Sequence, residues 1–447
     1  MKEREYEIPI ERAIFAMAAN RALAPCSKLS VENWVSEQVY VPGLPVVPVH
    51  QLYKAMDFFL ENDIKIQEDI FFSVATVINL EVDLIYFDTT STYFETDPDL
   101  SKDNDEPNLT GLRQYGYSKD KRDDLPQVII GMAVTKEGIP VRCWVFSGET
   151  SDVSIVEQVK KDLTGWKLGR VISVMDRGFV SAANCIALQR AGGHYIIGEK
   201  MRCGKPEVIK ALSKAGRYSK LREDLFAKES IVGEGERRIR YVIVLNPNEA
   251  KKDKLTREKH LDRLSDKLAA LDDLSDGQQH TKAVCALISH RTYGRYLHVL
   301  KNGRLEIDKS AVAREEKLDG KYLLRTSDDT LSIEDIVLGY KQLLIIERGF
   351  RTLKTELELR PVYHRKSERI RSHVFICWLA LLLIRVAELE TDNSWFNIKR
   401  ELRKLSLVSL QLPDGFVNQT SESTAEQKNI FSKCSLKLPP KIISISE

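Results

Sequence analysis

Two aspartates in this 447-residue chain sit in the same local setting, and a third carboxylate shares a helical stripe with cations. Asp88 closes the apolar run Leu84-Ile85-Tyr86-Phe87 and precedes Thr89-Thr90-Ser91-Thr92. Asp176 closes Val171-Ile172-Ser173-Val174-Met175 and precedes Arg177-Gly178-Phe179. A carboxylate at the edge of a buried strand is costly unless it is paired, caps a turn or holds a metal. For either residue alone the plainer reading is an Asx-turn or helix N-cap at a strand end. The repetition changes the balance. If the two strands are parallel neighbours, both carboxylates reach one sheet edge, where they repel and a divalent ion is a common remedy.

The third carboxylate is Glu347, in Tyr340-Lys341-Gln342-Leu343-Leu344-Ile345-Ile346-Glu347-Arg348-Gly349-Phe350-Arg351-Thr352-Leu353-Lys354. At about 100° per residue, Tyr340, Glu347, Arg351 and Lys354 fall within one narrow stripe of a helix. A Glu with an Arg four residues later is ordinarily a solvated ion pair. Following four aliphatic residues and sharing its stripe with a Tyr and two cations, it also suits an acidic metal site facing a phosphate backbone.

Three carboxylates of this kind fit two-metal phosphoryl transfer, in which two Mg²⁺ ions about 4 Å apart serve the attacking and leaving oxygens. Mg²⁺ takes hard oxygen ligands, and Mn²⁺ is able to substitute. Arg348, Arg351 and Lys354 are then expected to contact backbone phosphates without reading sequence. Further basic candidates are Lys119 and Arg122 in Lys119-Asp120-Lys121-Arg122, Arg177, and Arg365 and Arg369 in the stretch 360–371. A charged loop is more often simply solvated, yet the last stretch directly follows the Glu347 helix. The histidines form no metal cluster: His364 reads as a phosphate contact and His373 as a core or capping residue.

The elements that must hold these residues follow from texture. Residues 1 to about 80 show helical spacing, as in Ile10, Ala13, Ile14 and Met17, then Leu52, Met56, Phe59 and Leu60. From residue 84, short β-branched and aromatic runs alternate with helical stretches, which reads as α/β. Between about 201 and 325, strand-like 239–245, 283–289 and 322–325 surround a highly charged helix at about 248–272. From Ser332 one long helix is expected to run through Glu358 and end before Pro361, followed by a buried apolar helix at about 368–390. The tail from about 405 shows no firm period.

The totals exclude little but set the frame. A composition of 43% hydrophobic and 30% charged folds in water, and 447 residues exceed one ordinary core. A net charge of +2 argues for no partner by itself. Seven cysteines without a Cys-x-x-Cys pair favour a reducing compartment. No signal peptide is evident, and the longest apolar run, 374–384, is short for a bilayer, so a cytoplasmic protein without a membrane partner is expected.

On these residues the sequence resembles the DDE transposases of the insertion-sequence-four superfamily, most nearly its sixteen-thirty-four group. The family mark, Tyr-x2-Arg-x3-Glu-x6-Lys, is met by Tyr340, Glu347 and Lys354, with Leu343 standing where the motif has Arg. Tyr86-Phe87-Asp88-Thr89-Thr90, Gly116 through Arg122, Gln127 to Val134 with Gly138-Ile139-Pro140, Met175 through Phe179, and Glu368 through His373 extend the likeness over about 50–390.

The resemblance implies a ribonuclease-H-like α/β core, a mixed sheet with flanking helices, interrupted by a β-rich insertion. The implied division is a helical DNA-binding and dimerisation region at 1–80, core at 81–200, insertion at 201–328, core with the Glu helix at 329–400, and a tail at 401–447. It assigns catalysis and metal binding to Asp88, Asp176 and Glu347. The expected partners are double-stranded DNA, as terminal inverted repeats and target, and a second copy of the chain, in the cytoplasm and on the nucleoid when DNA-bound. Relatives hold a flipped base on an aromatic residue of the insertion. The insertion has no Trp, which leaves Tyr293 and Tyr296 as candidates. Members of the group commonly carry more residues before the first helices, so this chain reaches Asp88 early. A ribonuclease-H-like nuclease without strand transfer, and a decayed or domesticated DNA-binding protein, remain the alternatives.

Overall fold

The structure is a computed structural model that describes residues 7–44, 46–80, 82–95, 111–166, 168, 171–235, 238–272, 277–413 and 415–446. Four helices come first, α1 (Ile10–Leu23), α2 (Lys28–Asn33), α3 (Val49–Glu61) and α4 (Asp63–Val77). Then follow β1 (Leu84–Tyr93), β2 (Gln127–Thr135), β3 (Pro140–Ser147), α5 (Val156–Gly165), β4 (Ile172–Met175), α6 (Ala182–Gln189) and β5 (His194–Glu199). The next stretch holds α7 (Pro206–Ser213), β6 (Ser219–Arg222), β7 (Leu225–Val232), β8 (Ile239–Leu245), α8 (Pro247–Asp272) and α9 (Gly277–Ser289). It continues with β9 (Leu297–Val299), β10 (Leu305–Ile307), α10 (Lys309–Glu316) and β11 (Lys321–Thr326). The chain ends with α11 (Ile333–Lys341), α12 (Leu344–Thr355), α13 (Ser367–Thr391), α14 (Trp395–Leu402), β12 (Leu407–Leu412), β13 (Gly415–Thr420), α15 (Ala425–Lys433) and β14 (Ile442–Ser446).

Two compact units result: 1–174 with 190–193 and 342–447, and 175–189 with 194–341. In the first, the strand order is β3-β2-β1-β4, with β1–β2 and β2–β3 antiparallel. All nine residues of β2 are buried, which is why Val128-Ile129-Ile130 through Val134 reads as an unbroken apolar run. The apolar helix expected at 368–390 is α13. Its 25 residues are long and apolar enough to cross a membrane, but Ile370, Phe375, Trp378, Leu381 and Ile384 are buried and it packs on α1, α3 and β3, so it serves as the core helix of this unit. In the second unit the order is β5-β11-β8-β7-β6, with each neighbouring pair antiparallel. A separate core gathers Leu264, Leu271, Leu287, Tyr293, Tyr296 and Leu305 from α8, α9, the turn that follows α9 and the β9–β10 hairpin.

Four expectations are corrected. The stretch 283–289 is helix α9, because Ala283, Val284 and Leu287 share the i, i+4 face that packs on the second core. The segment 201–328 is less β-rich than expected, since α7 to α10 occupy more of it than its strands. The long helix from Ser332 is two helices: at Gln342 an i→i+3 bond, Ile345 N to Gln342 O at 2.8 Å, replaces the α-helical ladder, and α12 ends at Thr355. The tail, in which the sequence shows no firm period, holds the antiparallel β12-β13-β14 sheet and a capping box at Thr424 and Gln427.

Candidate active site

Asp88 does not end its strand. The threonines that follow are β-branched and continue β1 to Tyr93, with Thr89, Thr90, Ser91 and Thr92 all buried. Side chains alternate along a strand, so Asp88 shares a face with Tyr86, whose hydroxyl donates to Gln342 Oε1 at 2.6 Å. Directly opposite Asp88 on β2 is Met132, and paired residues project to the same face. Helix α12 lies on that face: a Cβ on Gly349 would come within 3.0 Å of Met132 Cε. Glu347 stands in the first turn of α12 and is exposed.

The partners of Asp88 are specific. Its Oδ1 accepts the Thr89 backbone N–H at 2.7 Å and lies 3.5 Å from Lys119 Nζ. The same ammonium donates to Thr89 O at 2.9 Å and Thr89 Oγ1 at 2.5 Å and pairs with Asp152 Oδ2 at 3.2 Å. Thr89 Oγ1 in turn donates to Asp152 Oδ1. Asp152 lies in the loop after β3 and carried no signal in the sequence. Lys119 was expected to face DNA; here it points at the carboxylates, its backbone N–H fixed to Ser91 Oγ at 2.9 Å.

Other basic candidates of this unit are likewise engaged. Lys354 Nζ reaches both oxygens of Asp120, at 2.9 and 3.1 Å, and Arg360 joins at 2.9 Å. Burial lowers the Lys354 pKa while Asp120 opposes that shift. Arg122 pairs with Asp124 at 2.8 Å, and Arg369 is pinned between Asp57 at 3.0 Å and the Tyr53 ring at 4.8 Å. Arg348, Arg351 and Arg365 are exposed. His373 is buried against Leu359 O with its pKa held well below the usual imidazole value by burial, and burial pushes His364 down to about 4.

In the second unit Asp176 follows β4 and accepts the Tyr340 hydroxyl at 2.8 Å. Burial, then the Asp176 charge, raises the Tyr340 pKa, so the phenol stays a donor. The contact depends on Gly198: any Cβ there would overlap Tyr340 Oη. Tyr340 stacks on Tyr322 with ring centroids 6.0 Å apart. Asp176, Arg177, Glu199, Arg202, Tyr322 and Tyr340 line part of a cavity of about 440 Å³ within this unit. Its arginines are largely paired, Arg202 with both oxygens of Glu315 at 2.9 Å and Arg257 with Asp319. Tyr293 and Tyr296, expected to stack on a base, are 8% and 3% exposed and serve the second core, although Tyr296 also borders the cavity. Tyr322 was missed: it sits in a strand with nothing in its neighbours to single it out.

Among the described residues no three His, Cys, Asp or Glu side chains lie close enough together to hold a metal ion. The donors gathered near Asp88 are nevertheless all oxygens, the ligand type that hard divalent cations take, and they already hold a cationic group.

Two solved structures are similar in part. The piggyBac transposase synaptic complex with hairpin DNA matches at 11% identity over 90% of this chain and 73% of its own, with a TM-score of 0.41. The Mos1 transposase paired-end complex with left transposon end matches at 13% over 44% and 61%, with a TM-score of 0.18. No curated protein matches the chain significantly. The sequence profile described as "Transposase DDE domain" does match, over residues 105–383, which is more than half of the chain and includes Asp176 and Glu347 while Asp88 lies before it. This chain belongs to the DDE-domain transposase family.

Proposed function

We propose that the chain is the transposase of a bacterial insertion sequence, of the insertion-sequence-four superfamily and near its sixteen-thirty-four group. As a cytoplasmic homodimer it binds the element's terminal inverted repeats, cuts at the ends and joins the 3′ ends to target DNA. The observation that carries this reading is the family match over Asp176 and Glu347, taken with the spacing of Tyr340, Glu347 and Lys354.

In this reading Asp88, Asp176 and Glu347 are the ligands of divalent metal. Bound Mg²⁺ or Mn²⁺ would supply Lewis acidity at the scissile phosphate and activate water or a 3′-hydroxyl. The chain supplies orientation. Tyr340, donating to one oxygen of Asp176, fixes the rotamer of that carboxylate and leaves its other oxygen for a ligand. Exposed Arg348 and Arg351 on α12 contact backbone phosphates, which sets register without reading sequence.

The experiment is Mg²⁺-dependent joining of pre-cut inverted-repeat ends to target DNA, with wild type beside Asp88→Ala, Asp176→Ala and Glu347→Ala. Variants that bind DNA yet fail to join support the assignment, and variants that join like wild type refute it. Cleavage without joining in wild type would mark a ribonuclease-H-like nuclease. Binding with neither would mark a decayed or domesticated DNA-binding protein, a reading favoured only by Leu343 in the motif's Arg position.

A further inference from the structure

We infer that Lys119 is a resident cation that holds the place of divalent metal at Asp88, and that Asp152 is the positioning residue that keeps it there. The inference rests on the reading of Asp88 as a metal ligand.

The geometry is that of a small cation site occupied by an ammonium. Among the described residues, the oxygens around Lys119 Nζ include Thr89 O at 2.9 Å, Thr89 Oγ1 at 2.5 Å, Asp152 Oδ2 at 3.2 Å and Asp88 Oδ1 at 3.5 Å. Two carboxylates sharing one ammonium are mutually repulsive without it, so the site is built around a positive charge. Of the two, Asp152 is the nearer partner, and Thr89 Oγ1 completes a ring by accepting from Lys119 and donating to Asp152. The Lys119 backbone is tied to β1 through Ser91 Oγ, and Asp123 accepts the neighbouring Ser118 N–H at 2.8 Å, so the loop delivers the ammonium to the carboxylates while the side chain keeps 28% of its surface exposed.

Two cations cannot occupy one set of oxygens. Metal binding at Asp88 therefore requires Lys119 Nζ to leave, and the apparent metal affinity is lowered by the fraction of molecules in which it has not left. Once released, the ammonium is on the same loop as Lys121 and exposed Tyr117, where a DNA phosphate is a natural new partner. Metal loading and DNA binding would thus favour each other through a single side chain.

The test is Mn²⁺ binding to the full chain without DNA, followed by the electron paramagnetic resonance of free Mn²⁺, with thermal unfolding to check folding. Lys119→Met, or Lys119→Gln if that variant fails to fold, is expected to tighten the Asp88-dependent site by roughly tenfold. Asp152→Asn is expected to tighten it in wild type but to change nothing in the Lys119→Met background. Unchanged Mn²⁺ affinity in Lys119→Met, with binding still abolished by Asp88→Asn, overturns the inference and leaves the catalytic reading standing. Weaker binding on Asp152→Asn in the Lys119→Met background would overturn the positioning role, since Asp152 would then touch the metal itself. If no variant shows Asp88-dependent Mn²⁺ binding, the reading of Asp88 as a metal ligand fails and the inference falls with it.

Discussion

Asp88 and Asp176 look alike in the sequence and are kept by opposite means. Asp88 lies inside a strand and is answered by an ammonium shared with a second carboxylate; Asp176 lies past the end of a strand and is answered by a neutral phenol. An ammonium compensates charge and competes with metal for the same oxygens. A phenol leaves the charge on the carboxylate in place and spends only one lone pair. The two sites should therefore respond differently to substitution of their partners, even though both carboxylates are proposed for the same chemistry.

The largest effect expected is shared. Asp88→Asn and Asp176→Asn keep shape but remove the charge, and each should lower strand joining by about 10³-fold or more, measured by single-turnover assays on pre-cut ends. A residual rate close to wild type for either one would break the comparison by removing that residue from the chemistry.

Gly198→Ala comes next and acts on the Asp176 side alone. The added Cβ overlaps Tyr340 Oη, so the phenol must move off Asp176 or β5 must shift. A cost of about 1–3 kcal/mol in stability is expected, with joining reduced by more than Tyr340→Phe reduces it. Tyr340→Phe removes a single hydrogen bond to a charged group, worth about 1.5–3 kcal/mol. It should cost joining several-fold while leaving Mn²⁺ affinity at Asp88 untouched, which titration of both variants would check. If Tyr340→Phe tightened Mn²⁺ binding as Lys119→Met should, the distinction between the two partners would be lost.

How much of this was legible follows from what each residue had around it. Asp88 and Asp176 stood out because each closes an apolar run, and the buried β2 and α13 were plain because nearly every residue in them is apolar. The break between α11 and α12 was not visible, since Leu343-Leu344-Ile345-Ile346 favours helix throughout and the turn depends on Gln342 meeting Tyr86 from a distant strand. The Tyr340–Glu347–Lys354 stripe was drawn on one continuous helix, whereas Tyr340 lies in α11 and the other two in α12. Helix α9 was misread because an apolar run such as Ala286-Leu287-Ile288 fits either period. The β12–β13 hairpin had a turn signal in Pro413-Asp414-Gly415 that the irregular spacing of hydrophobics concealed. Asp152 and the inward Lys119 lay beyond sequence reasoning, because only tertiary pairing brings a loop lysine and a loop aspartate to one strand.

The smallest effect expected concerns stability alone, and it sharpens the contrast between a cation held by hydrogen bonds and one without a hydrogen-bond partner among the described residues. Lys28 is 3% exposed, its Nζ has no hydrogen-bond partner among the described residues, and burial followed by the charge of Arg21 lowers its pKa to about 7. Between about 7 and the ordinary 10.5, the unfolded chain binds a proton here that the folded chain does not. Stability therefore rises with pH through that window, and the full penalty of the buried charge is felt below it. Lys28→Met should raise the unfolding midpoint at pH 7 by a few degrees, with the gap to wild type closing as the pH approaches 10.5. Calorimetry across that range decides the matter: a gap that stays constant would mean that Lys28 finds a partner in solution, and that the lack of a hydrogen-bond partner is not what distinguishes it from Lys119.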